Sequence, residues 1–129
     1  MIWKLRYHTR CTSKGSGVDK TIKSVEAFQL PAPDFRAAEN HTVSVLFAPK
    51  RFEDMDKDDR VRACYQHCCL KWVMNERMTN QSLRERFKLS EVKADQVSRI
   101  IRDTVDAGKI KPEDSSSSKR YAKYIPYWV

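Results

Sequence analysis

Hydrophobic residues change their spacing several times along the chain, and each change predicts an element. Trp3, Leu5 and Tyr7 alternate with Lys4 and Arg6, a weak strand signal. Val18, Ile22, Val25 and Phe28 recur at helical spacing and predict a helix over residues 18–29. Leu30-Pro31-Ala32-Pro33 ends it, because proline lacks an N–H and restricts the residue before it. Residues 34–38 and 42–48 read as two strands joined at Glu39-Asn40-His41, with Val43, Val45 and Phe47 on one face. A charged connector over residues 49–59 places a domain boundary near residue 50.

Helical spacing then returns. Val61, Cys64, Tyr65, Cys68 and Trp72 make one stripe of a long helix over residues 57–75, while Ala63, Leu70 and Met74 lie nearly opposite. Such a helix expects cover on two sides, from the N-terminal part, the C-terminal tail or another subunit. Thr79-Asn80 offers the cap of a short helix over residues 81–87, with Leu83 and Phe87 as its core pair. After a turn at residues 88–93, Val97, Ile100, Ile101, Thr104 and Val105 predict a third helix over residues 92–107, closed by Gly108. Residues 109–112 and 119–125 read as two strands around a serine-rich loop, and residues 126–129 as an aromatic tail expected to pack onto Trp72 or Leu70.

That order predicts an α+β chain. Residues 51–129 are expected to form a winged helix-turn-helix of three helices and a β-wing. Residues 1–50 are expected to be a separate unit of one helix and a β-hairpin. The net charge of +8 raises the odds of a polyanionic partner without proving one. Three of the four cysteines, Cys64, Cys68 and Cys69, sit within six residues on one helix, a poor disulfide framework that suggests a reducing, cytoplasmic setting. No apolar run is long enough to span a membrane.

In a helix-turn-helix the second helix enters the major groove. Its outer face here carries Asp95, Arg99, Arg102 and Asp106, with Gln96 and Ser98 at the margins. Arg99 and Arg102 suit guanine edges or phosphates, and Gln96 suits adenine. Gln81 and Arg84 on the preceding helix suit the backbone, as do Lys109, Lys111, Lys119, Arg120 and Lys123 around the wing. Asp95, Asp103 and Asp106 oppose this reading, and the alternative is a wing that binds protein or dimerises.

Other motifs are less specific. Cys64-x-x-His67-Cys68-Cys69 lacks a second ligand cluster, so it reads as buried apolar surface, with no metal expected. The same thiols beside His67 have no evident orienting acid, which argues against nucleophilic catalysis. Gly15-Ser16-Gly17 before a helix is a glycine turn by default, although such turns can hold phosphate.

The segments Gly15-Ser16-Gly17-Val18-Asp19-Lys20, Leu30-Pro31-Ala32-Pro33-Asp34-Phe35, Arg60-Val61-Arg62-Ala63-Cys64-Tyr65-Gln66-His67, Arg77-Met78-Thr79-Asn80, Ser82-Leu83-Arg84-Glu85-Arg86-Phe87 and Tyr121-Ala122-Lys123-Tyr124-Ile125-Pro126-Tyr127-Trp128 together resemble the C-terminal part of a bacterial family. Its members are RecG-related ATP-dependent DNA helicases and transcriptional regulators. The resemblance covers the chain from about residue 11 onward. It implies a Schlafen-like or AlbA-like domain, then a GHKL-type ATPase module, then a winged helix. Residues 1–50 then look like the tail of the ATPase module, with Gly15, Ser16 and Gly17 as the remnant of its last glycine box, near nucleotide phosphate. The family's Asn-containing helix for magnesium and its Asp-Gly segment for adenine have no counterpart here. The expectation is therefore a chain with no enzymatic activity and no cofactor of its own, ATP and magnesium belonging only to the full-length protein. The chain is expected to be an excised C-terminal fragment or the product of a truncated gene. Its expected partners are double-stranded DNA, the rest of the parent polypeptide and a second copy. Many relatives carry glycine where this chain has Lys88.

Overall fold

The computed structural model describes residues 17–114 and 121–129. Among these, the chain is an α+β fold of four helices and two small antiparallel sheets. Helix α1 (Gly17–Ala27) buries Ile22 and Val25. It stops two residues before the expected end because Gln29 turns left-handed, with φ 57°, and its side-chain amide donates to Glu26 O at 3.0 Å. That turn throws Phe28 outward: it is 76% exposed instead of joining the core.

Strands β1 (Asp34–Ala37) and β2 (Thr42–Val45) form a hairpin, with Asp34 opposite Val45 and Ala37 opposite Thr42. The second strand is shorter than expected. Only Phe35 of β1 packs on the core, while Val43, Leu46 and Phe47 are exposed. Alternation is therefore a sound sign of strand here but a poor guide to burial.

Helix α2 (Lys57–Val73) is the centre of the molecule. Asp56 and Asp59 form a reciprocal capping box at its start. Burial of Asp59 works against its carboxylate, but bonds from Lys50, Arg62 and the Asp56 N–H outweigh it and hold the carboxyl below its usual range. Every residue from Ala63 to Leu70 is buried. The spacing predicts two-sided cover, and the cover is wider still. Helix α1 and residues 30–33 lie against α2 from the N-terminal side, and the later helix and ribbon close the rest. This explains why no single apolar stripe dominates its sequence. After Val73 the helix is closed by Asn75, left-handed with φ 61°, as the Glu76 N–H reaches back to Lys71 O at 2.8 Å.

Helix α3 (Asn80–Phe87) starts at a second capping box, Thr79 with Ser82, and buries Leu83, Arg86 and Phe87. Its C-cap Lys88 is left-handed, φ 53° and ψ 43°. A side chain there costs about 1–2 kcal/mol, part of which glycine returns as chain entropy. Lys88→Gly is expected to raise stability by roughly 0.5–1 kcal/mol, seen as a higher denaturant midpoint at constant slope. A lower midpoint would show that the lysine side chain has a contact that matters.

A 3-10 turn (Glu91–Lys93) leads into α4 (Ala94–Asp106). The regular helix thus begins two residues later than expected, and Val92 lies outside it, 88% exposed. Val97, Ile100, Ile101 and Thr104 are buried as one face. Gly108, with φ 73°, lets the Lys109 N–H reach Thr104 O at 3.1 Å. Strands β3 (Ile110–Pro112) and β4 (Tyr124–Pro126) pair antiparallel, Lys111 opposite Ile125. Of the 119–125 expected for the returning strand, residues 119–120 lie outside the described residues; within 121–125 the strand takes up only at Tyr124 and runs on to Pro126. Met78 bridges Tyr124, adding a third, one-residue rung that spacing does not reveal. The tail packs on α2 as expected, but on Tyr65: Trp128 Nε1 donates to its hydroxyl at 3.1 Å, and Tyr127 stacks at a tilt 6.2 Å away. One cluster of buried residues takes in Ile22 and Ala32 as well as Leu83, Ile100 and Ile110, so packing runs continuously across residue 50.

Candidate nucleic-acid interface

The α3–α4 pair packs through the shared core and is pinned at its polar end by one amide. Asn80 Nδ2 donates to Ala94 O at 3.0 Å and to Ser98 Oγ at 2.9 Å. Its Oδ1 accepts from Arg84 Nε at 2.8 Å. Half-buried Arg84 thus has its Nε tied to the residue that makes the joint, one turn back on its own helix. Gln81 is exposed one residue away, with its amide near Glu85 at 3.3 Å.

Along α4 the buried face leaves Asp95, Ser98, Arg99, Arg102 and Asp106 outward. Neither Arg99 nor Arg102 joins an ion pair among the described residues. They point to different flanks. Arg99 and half-buried Gln96 line a hollow of about 260 Å3 with Lys57, Arg60 and Asp103, beside the start of α2. Arg102 lines a groove of about 250 Å3 with Asn80, Ser98, Pro112 and Tyr124, beside the ribbon. Gln96 is thus at the α2 margin, away from the crest of the helix.

The ribbon lysines divide. Lys109 is half-buried, its Nζ 5.8 Å over the ring of Tyr65 on α2, so it packs on that helix as well as facing the surface. Lys111 is exposed and donates to Val129 O. Lys123 is exposed and lines a separate hollow with Arg77, Thr79 and Glu113. Lys119 and Arg120 lie outside the described residues, as do Gly15 and Ser16. Gly17 is described, exposed, as the first residue of α1.

The cysteines lie inside the core. Cys64 Sγ is 3.9 Å from Met78 Sδ. Burial pushes the Cys64 thiol up to about 12 and raises that of Cys68 as well. Among the described residues no group of three or more potential metal ligands comes together. Since the thiolate is the reactive form, Cys64, Cys68 and Cys69 are expected to resist aromatic disulfide reagents in native buffer and react at once in denaturant. Site-by-site mass spectrometry checks this; fast labelling of Cys64 in native buffer would mean that the core opens readily.

A polar cluster that spacing does not reveal lies under α3. His67 Nδ1 is 2.9 Å from Glu26 Oε1, and Nε2 is 3.1 Å from Ser82 Oγ. Arg86 Nε is 3.5 Å from Glu26 Oε2. The order Ser–His–Glu is that of a hydrolase relay, but Ser82 Oγ is already the partner of the Thr79 N–H at 3.0 Å in the α3 cap. Glu26 and His67 are 41 residues apart, and no local pattern links them.

No helix among the described residues is long and apolar enough to cross a membrane. No family model matches the chain, and neither a curated protein nor a solved structure shows significant similarity to it.

Proposed function

We propose that residues 51–129 are a winged helix-turn-helix that binds duplex DNA and has no catalytic activity of its own. The observation that carries this reading is the pair Arg99 and Arg102. Both are exposed, and neither has an ion-pair partner among the described residues, on the outer face of the second helix of a short-turn helix pair. In this reading α4 lies in the major groove, its N-terminus set by Asn80, and the β3–β4 ribbon is the wing. Lys111 and Lys123 then meet backbone phosphates, and Gln81 the backbone beside α3. The resemblance to RecG-related regulators supports the same role in a cytoplasmic bacterial protein. Residues 15–17 alone are not expected to bind nucleotide.

Fluorescence anisotropy with a labelled duplex across a salt series tests the reading. Each phosphate neutralised steepens the log–log slope by about 0.9. Absence of binding at low salt sinks the proposal. A second reading, a protein-interaction or self-association module, has its own observation. Phe28 and Leu46, 76% and 68% exposed, line a largely apolar groove of about 360 Å3 between α1 and the hairpin. Light scattering separates the two: a monomer that binds duplex tightly favours DNA.

A further inference from the structure

Arg86 belongs to α3, but it finds its polar partners on the N-terminal arm. Its guanidinium donates to Leu30 O at 2.8 Å and faces the Glu26 carboxylate. The residue is only 4% exposed, and so is His67, which joins Glu26 of α1 to Ser82 of α3. Ser82 is itself half of the box that caps α3. Alongside, Arg62 donates to Ala32 O at 3.0 Å and Gln66 to Pro33 O at 2.6 Å. The segment 30–33 is therefore held by side chains of both α2 and α3.

The seam is buried but incompletely satisfied. Arg86 Nε and Gln66 Oε1 are buried without a hydrogen-bond partner among the described residues, and burial draws the Arg86 guanidinium below its ordinary range, against the opposing effect of Glu26. Removing α1 would strand a buried cation and the His67 Nδ1 in the core. An unpaired buried charge is strongly destabilising, so α3 must shift or fray to bring Arg86 to water. The disturbance reaches the cap through His67, which loses Glu26 and is the ring that Ser82 Oγ contacts. The arm and α3 thus share one set of bonds, made together or broken together.

We propose that α1 and residues 30–33 act as a latch on α3, with Glu26 as the positioning residue, so that docking of the arm controls the DNA-binding helix pair. This rests on the DNA-binding reading above. The link from arm to DNA surface is short: Glu26, His67, Ser82 of α3, then Asn80 of the same helix to Ala94 and Ser98 of α4.

Linkage requires the coupling to be reciprocal, which sets the test. Hydrogen exchange is followed by mass spectrometry in the full chain without DNA, for wild type, Glu26→Gln and Ser82→Ala. Duplex affinity is then measured on the same three proteins. Glu26→Gln is expected to speed exchange in α3 about tenfold or more and, to a lesser degree, at the start of α4, while α2 keeps its wild-type rate. Ser82→Ala, cutting the relay from the other side, is expected to speed exchange in α1. Both should weaken duplex binding about tenfold. Equal acceleration in all helices would mean a general loss of stability, and would overturn the latch. So would unchanged exchange in α3, or looser α3 with duplex affinity within twofold of wild type. If wild type fails to bind duplex, the DNA reading falls and the control built on it falls too. If wild type binds but exchange does not respond, only the latch falls.

Discussion

Arg99→Glu with Arg102→Glu is expected to lower duplex affinity by roughly a hundredfold at low salt. A single well-placed arginine contact contributes about 1–3 kcal/mol, and reversal adds repulsion from phosphate to the missing attraction. Reversing both arginines therefore costs more than reversing either one alone. The salt dependence should become shallower by about 1.8 in log–log slope if both groups meet phosphate. Arg51→Glu is the matched control: Arg51 is exposed, already bonded to Asp54 at 3.0 Å, and remote from α4 in the sequence. It should leave affinity within about twofold, because only the non-specific field changes. Weakening of equal size in both variants would mean attraction by net charge alone, without a defined surface. The flanking acids make this a demanding test. Asp95 and Asp106 stand exposed on the same face, so binding must come from the geometry of the two arginines and not from a uniformly basic helix.

Most elements are legible in the sequence because their signals are local. Thr79-Asn80 and Gly108, the latter after an amphipathic run, mark the start of α3 and the end of α4 within one or two residues. The buried face of α4 follows from spacing alone, since a helix packed on one side keeps a strict period. Helix α2 shows the limit of that signal. Its neighbours surround it, so its buried residues include Gln66 and His67 beside Cys68 and Cys69, and a polar residue in the sequence no longer means solvent. The partners that make those residues tolerable, Glu26 and the carbonyls of residues 30–33, lie far away along the chain. Phe28 fails in the opposite direction: helical spacing puts it inside, and one left-handed residue, Gln29, turns it out. Within the candidate interface, Arg99 and Arg102 are legible as the residues opposite the core. The placement of Lys109 over Tyr65 is not, because it depends on where another element lies; the Arg84–Asn80 bond is a local i,i+4 pair on α3 that spacing could have found.

Leu83→Ala is expected to be the most damaging single truncation in the helix pair. Leu83 is fully buried, at 0% exposure, on a helix of only 8 residues. So short a helix has little stability of its own and depends on its packed face. Truncating a buried leucine removes transfer energy and leaves a cavity, typically about 2–5 kcal/mol together. Collapse around the gap is restricted here, because the Thr79–Ser82 cap and the Arg86 hydrogen bond hold the helix at both ends. The cost should therefore fall in the upper half of that range, about 4 kcal/mol, against a total of roughly 5–15 kcal/mol for a domain. Val92→Ala supplies the comparison. Val92 is also apolar and lies close to the same turn, but it is 88% exposed, and its truncation should change stability by less than about 0.5 kcal/mol. Urea unfolding of both variants decides the matter, with unchanged slope as the condition for reading the midpoints as stability. Similar destabilisation at the two positions would place Val92 in the core and move the start of α4 back to where spacing alone puts it. Destabilisation confined to Leu83 fixes α3 against the core and leaves the turn at residues 91–93 as the joint on which α4 is presented.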